Sequence, residues 1–158
     1  VGVNMKQRWC IIAGTGREPL AEDFRYQSSS EIRSDTPWGQ VPIRHLSHEE
    51  VEIFLIDRHH SDLTGKRTPP HNINYRANVH AAKSLDPDLI ISVNSVGTMV
   101  EDFPPGSVGL VSDVLDLSSR PMTFFDDVAT HADRTSCFSE YHMEKIKQYP
   151  ERGLSTFT

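Results

Sequence analysis

Apolar residues fall along this chain in short runs separated by turns, and most runs have the spacing of strands rather than of helices. The run Trp9-Cys10-Ile11-Ile12-Ala13 is too short for a helix and ends in Gly14-Thr15-Gly16. It predicts a buried strand that delivers a tight loop to its C-terminal end. Residues 17–30 are polar with sparse apolar positions and read as irregular. Asp35-Thr36-Pro37-Trp38-Gly39 carries turn chemistry, and residues 41–46 then alternate apolar and polar. Beyond the polar bend 47–50, residues 51–56 are β-branched, aromatic or apolar, so the two segments predict a hairpin. Residues 61–71, with Gly65, Pro69 and Pro70, have the composition of a loop or lid.

Between residues 73 and 85 the period changes. Ile73, Ala77, Val79, Ala81, Ala82 and Leu85 form the small-residue face of a helix, with Asn72 or Asn74 to cap its start and Asp86-Pro87 to stop it. Residues 89–93 form a further buried strand that runs into Asn94-Ser95-Val96-Gly97-Thr98. Later, Pro104-Pro105-Gly106 turns the chain, and residues 108–117 predict one strand or a pair. Residues 120–126 make an aromatic patch suited to core or interface packing. Residues 131–139 read as a polar loop, 140–149 as a short amphipathic helix and 150–158 as a frayed end.

The order strand, loop, helix, strand over residues 51–97 is a βαβ unit, whose strands run parallel and end on one edge. If the first strand joins that sheet, Thr15, Arg58, His59, Asn94 and Ser95 meet in the crevice where open α/β sheets bind ligands. Their chemistry suits an anion. Glycines let loop N–H groups approach phosphate oxygens, the Thr15 hydroxyl adds a donor, and a guanidinium grips phosphate through two parallel hydrogen bonds. An imidazole from His59 or His60 can orient it. Each feature also has a plain reading: a strand-to-turn connection, a solvated charged loop, or capping and packing for Asn74 and Asn78. Zinc is disfavoured, because His59, His60 and His71 lack the spacing of a metal motif.

Composition narrows the classes. At 158 residues the chain fits one domain, 1–158, with no internal repeat. Its net charge of −6 counts against a nucleic-acid groove or an anionic membrane as partner, while leaving room for a local cationic cluster. Cys10 and Cys137 offer neither a disulfide framework nor paired metal ligands. With a polar N-terminus unlike a signal peptide, the expectation is a soluble cytoplasmic protein that holds no metal.

Seven of these segments together resemble a known family. Ile-Ile-Ala-Gly-Thr-Gly (residues 11–16), Asp-Thr-Pro-Trp-Gly (35–39), Arg58-His59, Asn-Tyr-Arg-Ala-Asn (74–78), Asn-Ser-Val-Gly-Thr (94–98), Pro-Pro-Gly (104–106) and Arg-Pro-Met-Thr-Phe-Phe-Asp (120–126) occur in order across nearly the whole chain. They are similar to the methylthioadenosine phosphorylase branch of the trimeric purine nucleoside phosphorylases. The resemblance implies an α/β fold, a mixed sheet flanked by helices, here truncated. It implies phosphate held by Thr15, Arg58, His59, Asn94 and Ser95, and a nucleoside contacted by His60 and by His131, the latter reaching a neighbouring subunit's site in a homotrimer. The implied reaction is phosphorolysis of a purine nucleoside such as 5′-methylthioadenosine or methylthioinosine. Inorganic phosphate is the co-substrate and no other cofactor is used.

Two departures qualify it. Family members are longer, and their later half carries the segments that grip the base, so no catalytic residue is assigned here. Asn94 and Ser95 replace small hydroxyl or alanine residues common in this branch. The alternatives are a repurposed pocket for another small anion, with His59 or His60 as acid or base, or a non-catalytic binding or assembly module. A separate chain supplying the missing half is a further possible partner.

Overall fold

The structure, a computed structural model, describes residues 6–14, 26–61, 66–148 and 154–157. Within 1–158, expected to be one domain, the backbone gathers into two compact units, Val1–Ser95 and Val96–Thr158.

The first unit is a five-stranded mixed sheet. Strand β1 (Gln7–Ala13) is followed by β2 (Ser28–Thr36), β3 (Gly39–Ser47), β4 (Val51–Asp57) and, beyond helix α1 (Tyr75–Ser84), β5 (Leu89–Val93). The spatial order is β2-β3-β4-β1-β5. The two hairpin pairs β2–β3 and β3–β4 are antiparallel, while β1 lies between β4 and β5 and is parallel to both. The predicted hairpin and βαβ crossover are both present, with β1 inserted between the two parallel strands of the crossover.

Burial explains this order. Strand β4 is buried from Ile53 to Asp57 without alternation, as a strand covered on both faces must be. On one face Cys10, Val41, Ile43, Phe54 and Ile56 pack against Ala77, Ala81 and Ala82 of α1. On the other, Ile11, Ala13, Leu46, Ile53 and Leu55 form a second cluster. Polar contacts then fix where the helix lies. Asn74, one of the two caps predicted, accepts from the Ala77 N–H (3.1 Å) and donates through Nδ2 to the Trp38 carbonyl (2.6 Å). It thereby ties the helix start to the β2–β3 turn, where Gly39 takes the φ of +127° that favours glycine. At the opposite end, Arg8 donates from its guanidinium to the Leu85 carbonyl (2.7 and 3.2 Å) and to Glu52 (3.2 Å), which fastens β1 to the end of α1 and the start of β4.

The second unit contains β6 (Val108–Val111), helix α2 (Glu140–Lys147) and β7 (Leu154–Phe157), with β6 and β7 paired in parallel. Ser139 caps α2 by accepting from the His142 N–H (3.4 Å). Between β6 and α2, short side-chain turns organise the backbone. Asp116 accepts from the Ser118 N–H (2.8 Å) and Asp133 from the Thr135 N–H and hydroxyl, contacts that hold both carboxyls below the usual range.

Four expectations are corrected and one is narrowed. Residues 28–30 are not irregular but open β2, which gains its place from the β3 backbone rather than from apolar side chains. The strand in 108–117 stops at Val111. Residues 154–157 are a strand, because β6 offers a free edge to pair with. Strand β5 is not the buried strand expected at 89–93: Ile90, Ser92 and Val93 are exposed. Of the two roles expected of the aromatic patch, the exposure of Phe124 and Phe125 excludes the core.

The two cysteines differ sharply. Cys10 is fully buried and desolvation pushes its thiol up to about 12, whereas Cys137 is exposed. A thiol-reactive disulfide reagent at neutral pH is expected to modify Cys137 rapidly in the native protein and Cys10 only after denaturant is added. Equal rates for the two would contradict the packing of β1.

Candidate functional site

The register of the parallel strands sets the site. Ala13 lies opposite Asp57 on one side and Val93 on the other, so the next residues along each strand are Gly14, Arg58 and Asn94. The Arg58 N–H donates to the Ala13 carbonyl (2.9 Å), carrying the ladder one residue past the end of the sheet. Its guanidinium then lies against Gly14. A Cβ on Gly14 would stand 2.7 Å from Nη2 and 3.0 Å from Cζ, so any larger residue would displace the side chain. From this position Nη1 donates to the Val93 carbonyl (2.9 Å) and to Oδ1 of Asn94, while Asn94 Nδ2 donates to Ser92 Oγ (3.2 Å). The guanidinium thus reaches from β4 to β5 across the end of β1. Among the described residues its hydrogen-bond partners include no carboxylate.

The histidines are held by a second network. Asp57, 7% exposed, accepts from the His59 N–H (3.0 Å) and from Arg67 Nη2 (3.2 Å). Residues 66–69 cross over the turn as a strap. The Thr68 N–H donates to the His59 carbonyl (2.8 Å), the Thr68 hydroxyl donates to the His60 carbonyl (2.7 Å), and the Thr68 carbonyl faces His59 Nδ1 (2.9 Å). Asn78, 2% exposed on α1, donates through Nδ2 to the Arg58 carbonyl (3.4 Å) and accepts through Oδ1 from His60 Nε2 (2.8 Å). Since Oδ1 can only accept, His60 carries its proton on Nε2. A cavity of about 540 Å³ opens beside this turn, lined by Arg44, Leu55, Asp57, His59, His60 and Arg67 among others.

Arg58, His59 and Asn94 are therefore brought together, and His60 joins them through Asn78. Ser95 follows Asn94 and is exposed. Thr15 lies outside the described residues. His131 is exposed in the second unit. Sequence reasoning did not find Asp57, Thr68 or Asn78 as parts of the site. Only Asn78 had a readable signal, an amide on the alanine face of an amphipathic helix where a polar group needs buried partners.

The family model described as the phosphorylase superfamily matches residues 8–154. This chain belongs to that superfamily. It is 37% identical over 127 residues to a probable S-methyl-5′-thioinosine phosphorylase of Methanothermobacter thermautotrophicus, covering 79% of this chain and 44% of that protein. It is 32% identical over 148 residues to an S-methyl-5′-thioadenosine phosphorylase of Hyperthermus butylicus, covering 90% of this chain and 52% of that protein. Among solved structures, a methylthioadenosine phosphorylase sourced from an Antarctic soil metagenomic library superposes with a TM-score of 0.79 at 25% identity, over 96% of this chain and 54% of that one. The chain spans about half the length of the superfamily members it matches. The mixed sheet with few helices agrees with the purine nucleoside phosphorylase-like fold. Among the described residues no helix is long and apolar enough to cross a membrane.

Two substitutions separate the site from its scaffold. Gly14→Ala is expected to leave the melting temperature nearly unchanged, since the flexible Arg58 side chain can yield, and, where the guanidinium serves an oxyanion, to weaken that binding by an order of magnitude, about 1.4 kcal/mol. Asn78→Ala is expected to destabilise the fold by about 1–3 kcal/mol in urea unfolding, because it leaves a buried carbonyl and a buried imidazole N–H without their partner. A neutral Asn78→Ala would show that the network does not support the turn.

Proposed function

We propose that this superfamily member carries the phosphate site of a purine nucleoside phosphorylase acting on 5′-methylthioadenosine, methylthioinosine or a close analogue. One observation carries the reading: a guanidinium is set at the common end of three parallel strands, and its described partners are acceptors, none of them a carboxylate, that an oxyanion can replace. The similarity to methylthioadenosine and methylthioinosine phosphorylases supports the choice of nucleoside.

In this reading inorganic phosphate is the co-substrate and no further cofactor takes part. Arg58 turns from Val93 and Asn94 to fork two oxygens, a geometry that fixes the nucleophile as well as binding it. Asn94, Ser95 and His59 complete the cradle, with Thr15 added by resemblance, and His60 and His131 are assigned to the nucleoside. A phosphate oxygen attacks the anomeric carbon as the bond to the base nitrogen breaks, and the base leaves with the bonding pair and takes up a proton. The anion beneath the sugar stabilises the positive charge that develops there. The free thiols Cys10 and Cys137 suit a cytoplasmic setting. A homotrimer belongs to the same reading, supported by the exposed Met122, Phe124 and Phe125.

The test is release of free base from a panel of purine nucleosides with and without phosphate. Phosphate-dependent release from a methylthio-nucleoside is expected, and Arg58→Ala is expected to lower kcat/KM for phosphate by about 10²-fold or more with the circular dichroism spectrum retained. Release that ignores phosphate, no release at all, or an Arg58→Ala variant with unchanged phosphate dependence would overturn the reading.

A further inference from the structure

The tautomer of His59 is set by its neighbours. The Thr68 carbonyl can only accept, so Nδ1, 2.9 Å away, carries the ring proton. The other nitrogen, Nε2, faces the Arg58 Nε–H at 3.4 Å, a group that can only donate, so Nε2 presents its lone pair. Both nitrogens of the neutral ring are thus assigned. The strap is held to this turn by three further contacts, from Thr68 N–H, Thr68 Oγ1 and Arg67, so the donor role of Nδ1 is not readily exchanged.

An oxyanion drawn to the Arg58 guanidinium meets this lone pair. Two acceptors facing each other with no proton between them repel, so a stable complex needs a proton on the line from Nε2 to the anion. Hydrogen phosphate brings one on its P–OH, and the neutral ring accepts it. Sulfate brings none, and binds well only when the ring has taken a second proton from solvent. We infer that His59 is a specificity-determining residue that makes the site select a protonated oxyanion, phosphate, over an unprotonated one, sulfate. This rests on the anion-site reading above.

The charged groups around the ring are Asp57 and Arg58 at the end of β4, Lys66 and Arg67 on the strap, and Glu31 and Arg44 across the cavity, with His60 adjacent and the neutral Asn78 on α1. None of these changes which nitrogen faces Arg58. Both ionic forms of inorganic phosphate present near neutral pH keep at least one P–OH.

The experiment is calorimetric titration of the purified chain with inorganic phosphate and with sulfate, from about pH 6 to about pH 8.5. Each titration is run in two buffers of unlike ionisation enthalpy, which counts the protons taken up. The phosphate-to-sulfate affinity ratio is expected to rise with pH, approaching tenfold per unit once the neutral ring dominates, with sulfate binding taking up close to one proton at the upper end. His59→Gln, whose amide can turn a donor toward either ion, is expected to abolish the proton uptake on sulfate binding and to leave the ratio with only the shallower pH dependence of phosphate's own second ionisation. His59→Asn, which can keep a donor near the Thr68 carbonyl, serves the same purpose if the first variant fails to fold. A wild-type ratio that does not move with pH, with both ions bound, overturns this inference alone, as do variants that keep the full wild-type slope and the proton uptake on sulfate binding. Failure of wild type to bind either ion at any pH overturns the anion site itself, and the inference with it.

Discussion

The parallel pairing of β1 with both β4 and β5 is the constraint on which the first unit depends. It buries an apolar strand between two others, and its register determines which residues come next on each strand. Because Ala13 is opposite Asp57 and Val93, Gly14, Arg58 and Asn94 follow together at one edge. A shift of one residue would turn Ile11 and Ala13 toward the wrong face and move Arg58 away from Gly14, against which its guanidinium lies. Core packing and site geometry are therefore two results of the same alignment.

Around that alignment a few polar side chains each serve two partners. Asp57 binds both a backbone N–H of the histidine turn and Arg67 of the strap, and Asn78 binds both the Arg58 carbonyl and His60. Buried groups of this kind are costly unless their hydrogen bonds are made, and once made they hold a turn more tightly than apolar contact does. The strap adds backbone contacts from Thr68. The consequence is a turn whose ring orientations are set before any ligand arrives, which is what a site needs if binding is not to spend its energy on ordering.

Much of this was legible in the sequence. The strand at residues 41–46 and the capped helix were readable because their apolar positions keep the period of the element, and the strands at 9–13, 51–56 and 89–93 because each is a short apolar run bounded by turn residues. The meeting of Arg58, His59 and Asn94 followed from the rule that strands of a βαβ unit end on one edge. Strand β2 was hidden, because Ser28 to Ser30, Glu31 and Arg33 carry no alternating pattern and its pairing is a backbone affair with β3. β7 was hidden for a similar reason, a four-residue segment whose partner lies far along the chain. The roles of Thr68 and Asp57 depend on the strap folding back over the turn, and no local spacing encodes that.

Strand β2 has a further consequence. Among the described residues it forms one margin of the sheet, and such a margin presents N–H and C=O groups to any extended chain that drifts by. Here that row is lined by serines and by Glu31, Arg33 and Asp35, nearly all of them exposed, with Ile32 the only large apolar side chain along its length. An incoming strand would have to strip water from charges of both signs before it could pair. The residues that make β2 hard to recognise as a strand are thus the same ones that oppose strand addition at this edge.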